Sequence, residues 1–270
     1  MPKPGRIRVA ALIAGLALGS GALFAAEQTP ETKNPLAGLP SKPGPHIAKI
    51  QALGDNQWLV LGTPKADPKW GVCRGRSWGS RQAYAADIGG AFFCGSGIHG
   101  FVMRNGHYMD DLWFYDINAN RWICLYPGAN CKTLKLKLDE HGFEVTEQGE
   151  QNPVSYLSHT YGNVTYIPGL QKYVIIYKNC FWWSKALPQR CEWLGVPPEK
   201  RSAYRYGNKI DLSARHPIFW DVKTAKWERR YVAGKEGPPQ EKPGGTKYWN
   251  IGLVQYVPFL KKTFVAWGSR

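Results

Sequence analysis

Two stretches of the chain gather the side chains that chemistry and recognition require. His99 and His107 stand close to Asp110 and Asp111, and imidazoles grouped with carboxylates are the parts of a metal centre or an acid–base pair. The plainer reading of those four is a solvated loop histidine and an aspartate that makes turn hydrogen bonds ahead of a strand. The second stretch holds Trp182, Trp183, Arg190, Arg201, Tyr204, Arg205 and Tyr206. Flat rings stack on sugar faces and guanidinium groups pair with carboxylates, so this stretch suits an acidic glycan or an acidic protein surface. Its plainer reading is tryptophans covering a sheet and arginines facing solvent.

Other motifs carry less. Asp116, Asn118 and Asn120 have the spacing that starts a calcium loop, but Arg121 stands where the loop needs glycine and Pro127 where it needs glutamate, so a hairpin turn explains them better. Asn163-Val164-Thr165 is a glycosylation sequon placed inside an expected strand. The sequence has no glycine-rich phosphate loop and no nucleophile elbow. It assigns no catalytic residue, no metal ligand set and no cofactor.

The compartment is read from the start of the chain and from its cysteines. Lys3, Arg6 and Arg8 precede an apolar run over residues 9–24 and the small pair Ala25-Ala26, the pattern of a secretory signal peptide over 1–26. Sixteen residues with three glycines fall short of the roughly 20 apolar residues that a membrane-spanning helix needs. The expectation is therefore a secreted or periplasmic protein with no transmembrane anchor after cleavage. Removing the three basic residues lowers the net charge from +15 to +12. The basic residues are scattered, so the partner expected is an acidic glycan or a protein at a cell surface and not a nucleic acid. Cys73, Cys94, Cys124, Cys131, Cys180 and Cys191 make an even count, which favours disulfides in an oxidising compartment. Short separations suggest Cys180 with Cys191 and Cys124 with Cys131, leaving Cys73 with Cys94. Zinc would need closer spacings than these cysteines have.

The elements that position these residues are short and β-rich. After a Pro- and Gly-rich lead-in over 27–45, the folded domain is expected over 46–270. Two segments align without a gap: one runs Phe114, Tyr115, Asp116 to Arg121, Trp122, the other Phe219, Trp220, Asp221 to Lys226, Trp227. Each reads as a hairpin with the Asp opening the turn and the Trp opening the return strand. A second repeat places Tyr84, Tyr166 and Tyr256 in register, each followed by a turn and a strand at Phe92, Val174 and Phe264. Joined, the two hairpins form a four-stranded unit that recurs, the mark of a propeller or similar array.

At this point the chain resembles the Kelch-repeat family and the central domain of galactose oxidase. Tyr115 with Trp122 and Trp220 with Trp227 keep that family's aromatic spacing, while its glycine pair is split at Gly95 and Gly97, replaced at Lys178-Asn179 and reduced to Gly268. The resemblance implies an all-β, Kelch-like β-propeller with two full four-stranded blades and partial blades at each end. Residues 56–61 read as a lone outer strand. The ring so counted is expected to be incomplete, through either a missing C-terminal part, the favoured reading, or closure by association with another chain. In such a fold the long connections emerge on one face, which is the binding candidate. The function expected is a binding module for a protein or glycan. The resemblance also admits a carbohydrate-active enzyme of the copper radical oxidase or sugar isomerase type, although the tyrosine, histidine and cysteine-linked tyrosine ligands of copper have no identified counterparts here.

Overall fold

The computed structural model describes residues 34–75, 82–94, 102–103, 105–154, 160, 162–176, 186–200, 217–229 and 252–267. Over these the fold is all-β, built of small antiparallel sheets with two short helices, α1 (Pro45–Gln51) and α2 (Ala186–Trp193). Strands β1 (Ala83–Ala85), β2 (Gly90–Cys94), β3 (Leu112–Asp116) and β4 (Arg121–Tyr126) form one four-stranded sheet in sequence order. A small hairpin, β5 (Leu136–Leu138) with β6 (Glu144–Thr146), follows. Strands β7 (Val164–Ile167), β8 (Lys172–Ile175), β9 (Ile218–Asp221) and β10 (Lys226–Glu228) repeat the four-stranded meander, and β11 (Gly252–Val257) pairs with β12 (Lys262–Trp267). Among the described residues no helix is long and apolar enough to cross a membrane.

Alternation along the strands explains the packing. Phe92, Cys94, Leu112, Phe114, Ile123 and Leu125 lie on one face of the first sheet and enter a core shared with Val164, Tyr166, Tyr173, Ile175, Ile218, Trp220 and Trp227 of the second. Phe92 stacks on both Tyr166 and Tyr173, with ring centroids 5.3 and 5.2 Å apart. Burying each such ring contributes roughly 1.5–3 kcal/mol. The other face of the first sheet carries Phe93, Trp113, Tyr115 and Trp122, whose rings meet one another. Cys124 pairs across the ladder with Trp113 and so belongs to this second face.

The repeated hairpins form in matching registers. Tyr115 opposes Trp122 and Asp116 opposes Arg121, just as Trp220 opposes Trp227 and Asp221 opposes Lys226. Each Asp receives backbone N–H groups of its own turn, Ala119 at 3.2 Å in the first and Lys223 at 2.7 Å in the second. Each also meets a cation, Arg121 at 2.9 Å for Asp116 and the buried Lys172 ammonium for Asp221. Burial opposes ionisation of Asp221, but Lys172 and the turn amides prevail and hold its carboxyl below the usual range. The Tyr-led hairpins also agree: Ala83, Thr165 and Gln255, each one residue before its Tyr, oppose Phe92, Val174 and Phe264.

Residues 34–45, expected as a flexible lead-in, are instead packed across the short turns. Leu36 is buried in the shared core. Asn34 Nδ2 donates to the carbonyls of Val222 and Lys223, while Ser41 donates to Asp116 at 2.6 Å and Gly44 N–H to Asn118 at 2.9 Å. His46, on α1, donates Nε2–H to Ile117 at 2.7 Å. Sequence composition marked this segment as loop, and loop it is, but its polar groups satisfy the hairpin turns. The expected strand over 56–61 is corrected: these residues have no strand ladder, and Trp58 is 81% exposed. The Leu61 carbonyl accepts from Asn120 Nδ2 at 3.2 Å, and Lys65 then lies beside the outer edge of β4, its N–H donating to the Asn120 carbonyl and its own carbonyl accepting from Trp122 N–H, both at 2.9 Å.

The three Tyr-led turns share a left-handed residue, Gly89 at φ 67°, Gln171 at 52° and Lys261 at 50°. A side chain there costs about 1–2 kcal/mol, offset in part by the greater freedom glycine has when unfolded. Lys261 is exposed, so Lys261→Gly should raise stability by about 0.5–1 kcal/mol, measured by urea unfolding. A lower midpoint would show that the turn draws its stability from the lysine itself.

Candidate functional site

Within each four-stranded sheet the turns β1–β2 and β3–β4, and their counterparts β7–β8 and β9–β10, are short, while β2–β3, β4–β7, β8–β9 and β10–β11 are long. The β3–β4 and β9–β10 turns are engaged by residues 34–46, and the long connections supply the candidate site. Of the residues singled out in the sequence, His99, Trp182, Trp183, Arg201, Tyr204, Arg205, Tyr206 and Cys180 lie outside the described residues. His107, Asp110, Asp111 and Arg190 lie within them.

His107, Asp110 and Asp111 come together as a scaffold and not as a ligand set. The β2–β3 connection folds back on itself, with Val102 bridged to Tyr108 and His107 bridged to Asn130 of the β4–β7 connection. His107 donates Nδ1–H to the Gly128 carbonyl at 2.6 Å and meets the Trp70 ring edge-on at 5.5 Å. Gly128 has φ 89°, and a Cβ there would collide with the Tyr108 carbonyl oxygen, so only glycine permits this approach. Asp110 is fully buried; its carboxyl accepts from Ala129 N–H at 2.8 Å and lies 3.4 Å from the Tyr126 hydroxyl, which in turn accepts from Asn152 Nδ2 at 3.2 Å. Burial first, and then the neighbouring Asp111, push the Asp110 carboxyl up to about 7. Asp111 accepts the Trp113 indole N–H at 2.6 Å. The metal or acid–base alternative is thereby corrected for the three described residues, whose groups face backbone, phenol and indole partners, while His99 lies outside the described residues. Among the described residues no three His, Cys, Asp or Glu side chains are placed to hold a metal.

Arg190 is likewise corrected. It was expected on a ligand-gripping loop, but it lies on α2, buried, in an ion pair with buried Glu144 at the start of β6. Helix α2 packs on β5, and the charge pair fixes it there. Removing one partner of a buried pair strands the other charge.

The expected pairing of Cys73 with Cys94 does not fit the sheet register, while that of Cys180 with Cys191 involves Cys180, which lies outside the described residues. Cys94 faces the core, where its thiol meets the Tyr173 hydroxyl, whereas Cys124 lies on the opposite face. Cys131 meets the Tyr108 hydroxyl, and its backbone carbonyl accepts from Gln189 on α2 at 2.6 Å. Adjacency in sequence missed this because a strand throws alternate side chains to opposite faces.

What remains open is a cleft of about 750 Å³ between the β4–β7 connection and β10. Tyr126, Trp220 and Trp227 form an aromatic base, with Tyr126 5.9 Å from Trp227 and Trp220 5.3 Å from Trp227. Lys135, Glu150 and Lys226 stand at its exposed rim. Sequence reading noticed Trp227 as a repeat residue but had no signal for Lys135 or Asn152, because the wall they form is made by a connection whose path no periodicity encodes. No protein-family model, curated protein or solved structure matches the chain.

Two outcomes follow from this geometry. Arg190→Ala should destabilise the fold by about 3–5 kcal/mol in urea unfolding; loss of ligand binding with stability unchanged would return Arg190 to the surface. For Asp110, the unfolded carboxyl titrates near 3.9, while the folded one titrates at about 7. Between those values the folded protein holds a proton that the unfolded chain has released, so this group's contribution is full below about pH 4 and is lost as pH rises through about 7. The urea midpoint of Asp110→Asn, less that of the parent, should therefore rise from pH 5 to pH 8. A flat difference would show an ordinary carboxyl.

Proposed function

We propose that this is an exported binding protein built on a Kelch-like β-propeller plan, and that its ligand is an acidic glycan or glycan-bearing surface held at the long-connection side. The propeller reading is supported by the two four-stranded meanders and by the packing of β1 on β7 and of β7 on β11, so that the first strand of each sheet meets the first strand of the next. That arrangement is the one in which innermost strands line an axis. Tyr166 adds a 2.9 Å hydrogen bond to Asp87, and Val254 N–H one of 2.9 Å to Gly162, at those same junctions.

The observation that carries the binding reading is the cleft itself. It is large enough for a short saccharide, aromatic at its base and rimmed by long polar side chains, the composition of a site that orients a polar ligand through a few hydrogen bonds. The excess of positive charge, +15 for the whole chain and +12 once the three basic residues of the signal segment are removed, adds a long-range attraction for polyanions.

Binding to an immobilised uronic-acid polysaccharide tests the reading. Reversing Lys135 and Lys226 together to Glu should weaken binding about tenfold or more, and raising salt should weaken the parent in the same sense. Lys49→Glu, exposed on α1 and not among the residues lining the cleft, serves as the control. Equal losses from both proteins would place the contact elsewhere, and no binding by the parent to acidic or neutral polysaccharides would remove the glycan reading.

A further inference from the structure

We infer that Cys73 and Cys124 form a disulfide that fastens the segment over residues 65–74 to the outer strand of the first sheet. The segment is already laid along that strand: after Lys65 bonds Asn120 and Trp122, the Asp67 carboxylate accepts the Cys124 backbone N–H at 3.1 Å. Asp67 and Gly71 then exchange hydrogen bonds of 2.7 and 2.9 Å, which turns the chain back toward the sheet. Trp70, Val72 and Arg74 line a small cavity of about 210 Å³ with Asp111, Trp113 and Pro127. Trp113 is the cross-strand partner of Cys124 on the same face. The chain on either side of Cys73 therefore borders the surface on which the Cys124 side chain lies. Cys94 is on the opposite face of the sheet, against Tyr173, and the sheet stands between it and Cys73.

The chemistry divides the two roles. Cys73 is partly exposed and Cys124 is buried. Burial and the nearby Asp111, Asp67 and Cys73 all raise the Cys124 thiol and keep it protonated. Cys73 is thus the thiol that meets an external oxidant of the disulfide class, such as oxidised glutathione or a disulfide-bearing oxidoreductase. Its thiolate attacks one sulfur of the oxidant and releases the other as a thiol; Cys124, on losing its proton, attacks Cys73 Sγ and releases the second thiol. Two protein thiols lose two protons and two electrons, and the oxidant's disulfide becomes two thiols. The bond would hold Trp70 against His107, and with it the base of the β2–β3 connection. This inference rests on the register of β4 and does not depend on the nature of any ligand.

The test is peptide mapping of the full chain after oxidation with glutathione and acid quenching, in a Cys131→Ser background because residues 122–132 form one tryptic peptide that holds both Cys124 and Cys131. The expected product is the peptide 70–74 joined to 122–132, released by reduction. Recovery of both peptides as alkylated thiols, or of Cys124 joined to any other cysteine, overturns the assignment. As an independent reading, Cys73→Ser should melt about 5–10 °C below the oxidised parent. Equal melting temperatures would show that no staple exists there.

Discussion

Phe92 is fully buried between Tyr166 and Tyr173, and the two four-stranded sheets depend on that stack to share one core. A meander of four short strands cannot cover both of its own faces. The first sheet buries one face through Phe92 and its neighbours and leaves the aromatic face of Trp113 and Trp122 to be covered by something else. The segment at residues 65–74 does that covering. The outer edge of β4, which would otherwise present unpaired backbone groups, takes its hydrogen bonds from Lys65 and Asp67.

The same economy governs the polar interior. Asp116, Asp221, Asp110 and Glu144 are all buried, and each is tied to a named donor: Arg121 and Ser41, Lys172, Ala129, and Arg190. Burying a carboxylate is costly unless charge or hydrogen bonds replace water. Asp221 answers that cost with a cation and stays ionised. Asp110 meets the Ala129 amide and the Tyr126 phenol, and burial pushes its carboxyl toward the neutral form. Two aspartates in one chain thus stand on opposite sides of the same balance: among the described residues a lysine pairs with Asp221 and none is seen against Asp110.

The covering of the short turns by residues 34–46 decides which side of the sheets is available for recognition. That segment occupies the Asp116–Asn120 turn and the Val222–Lys223 turn together. The long β4–β7 connection is left to line a cleft against β10, and its wall is made of residues whose neighbours in space are far away in sequence.

The alternation of strand residues and the repeated Asp-to-Trp hairpin were legible in the amino-acid order alone, because a two-residue period and a tight turn are local properties. The registers of Tyr115 with Trp122 and of Trp220 with Trp227 follow from them. The burial of Arg190 against Glu144, the inward turn of Asp110 and the neighbours of each cysteine were not legible. They depend on which loop passes over which face, and a loop's path is fixed by hydrogen bonds and close approaches, such as that of Gly128 to Tyr108, made between residues distant in the chain. Sequence determined the strands and their turns; only tertiary structure decided that the charged and sulfur-bearing side chains between them serve to hold the loops in place.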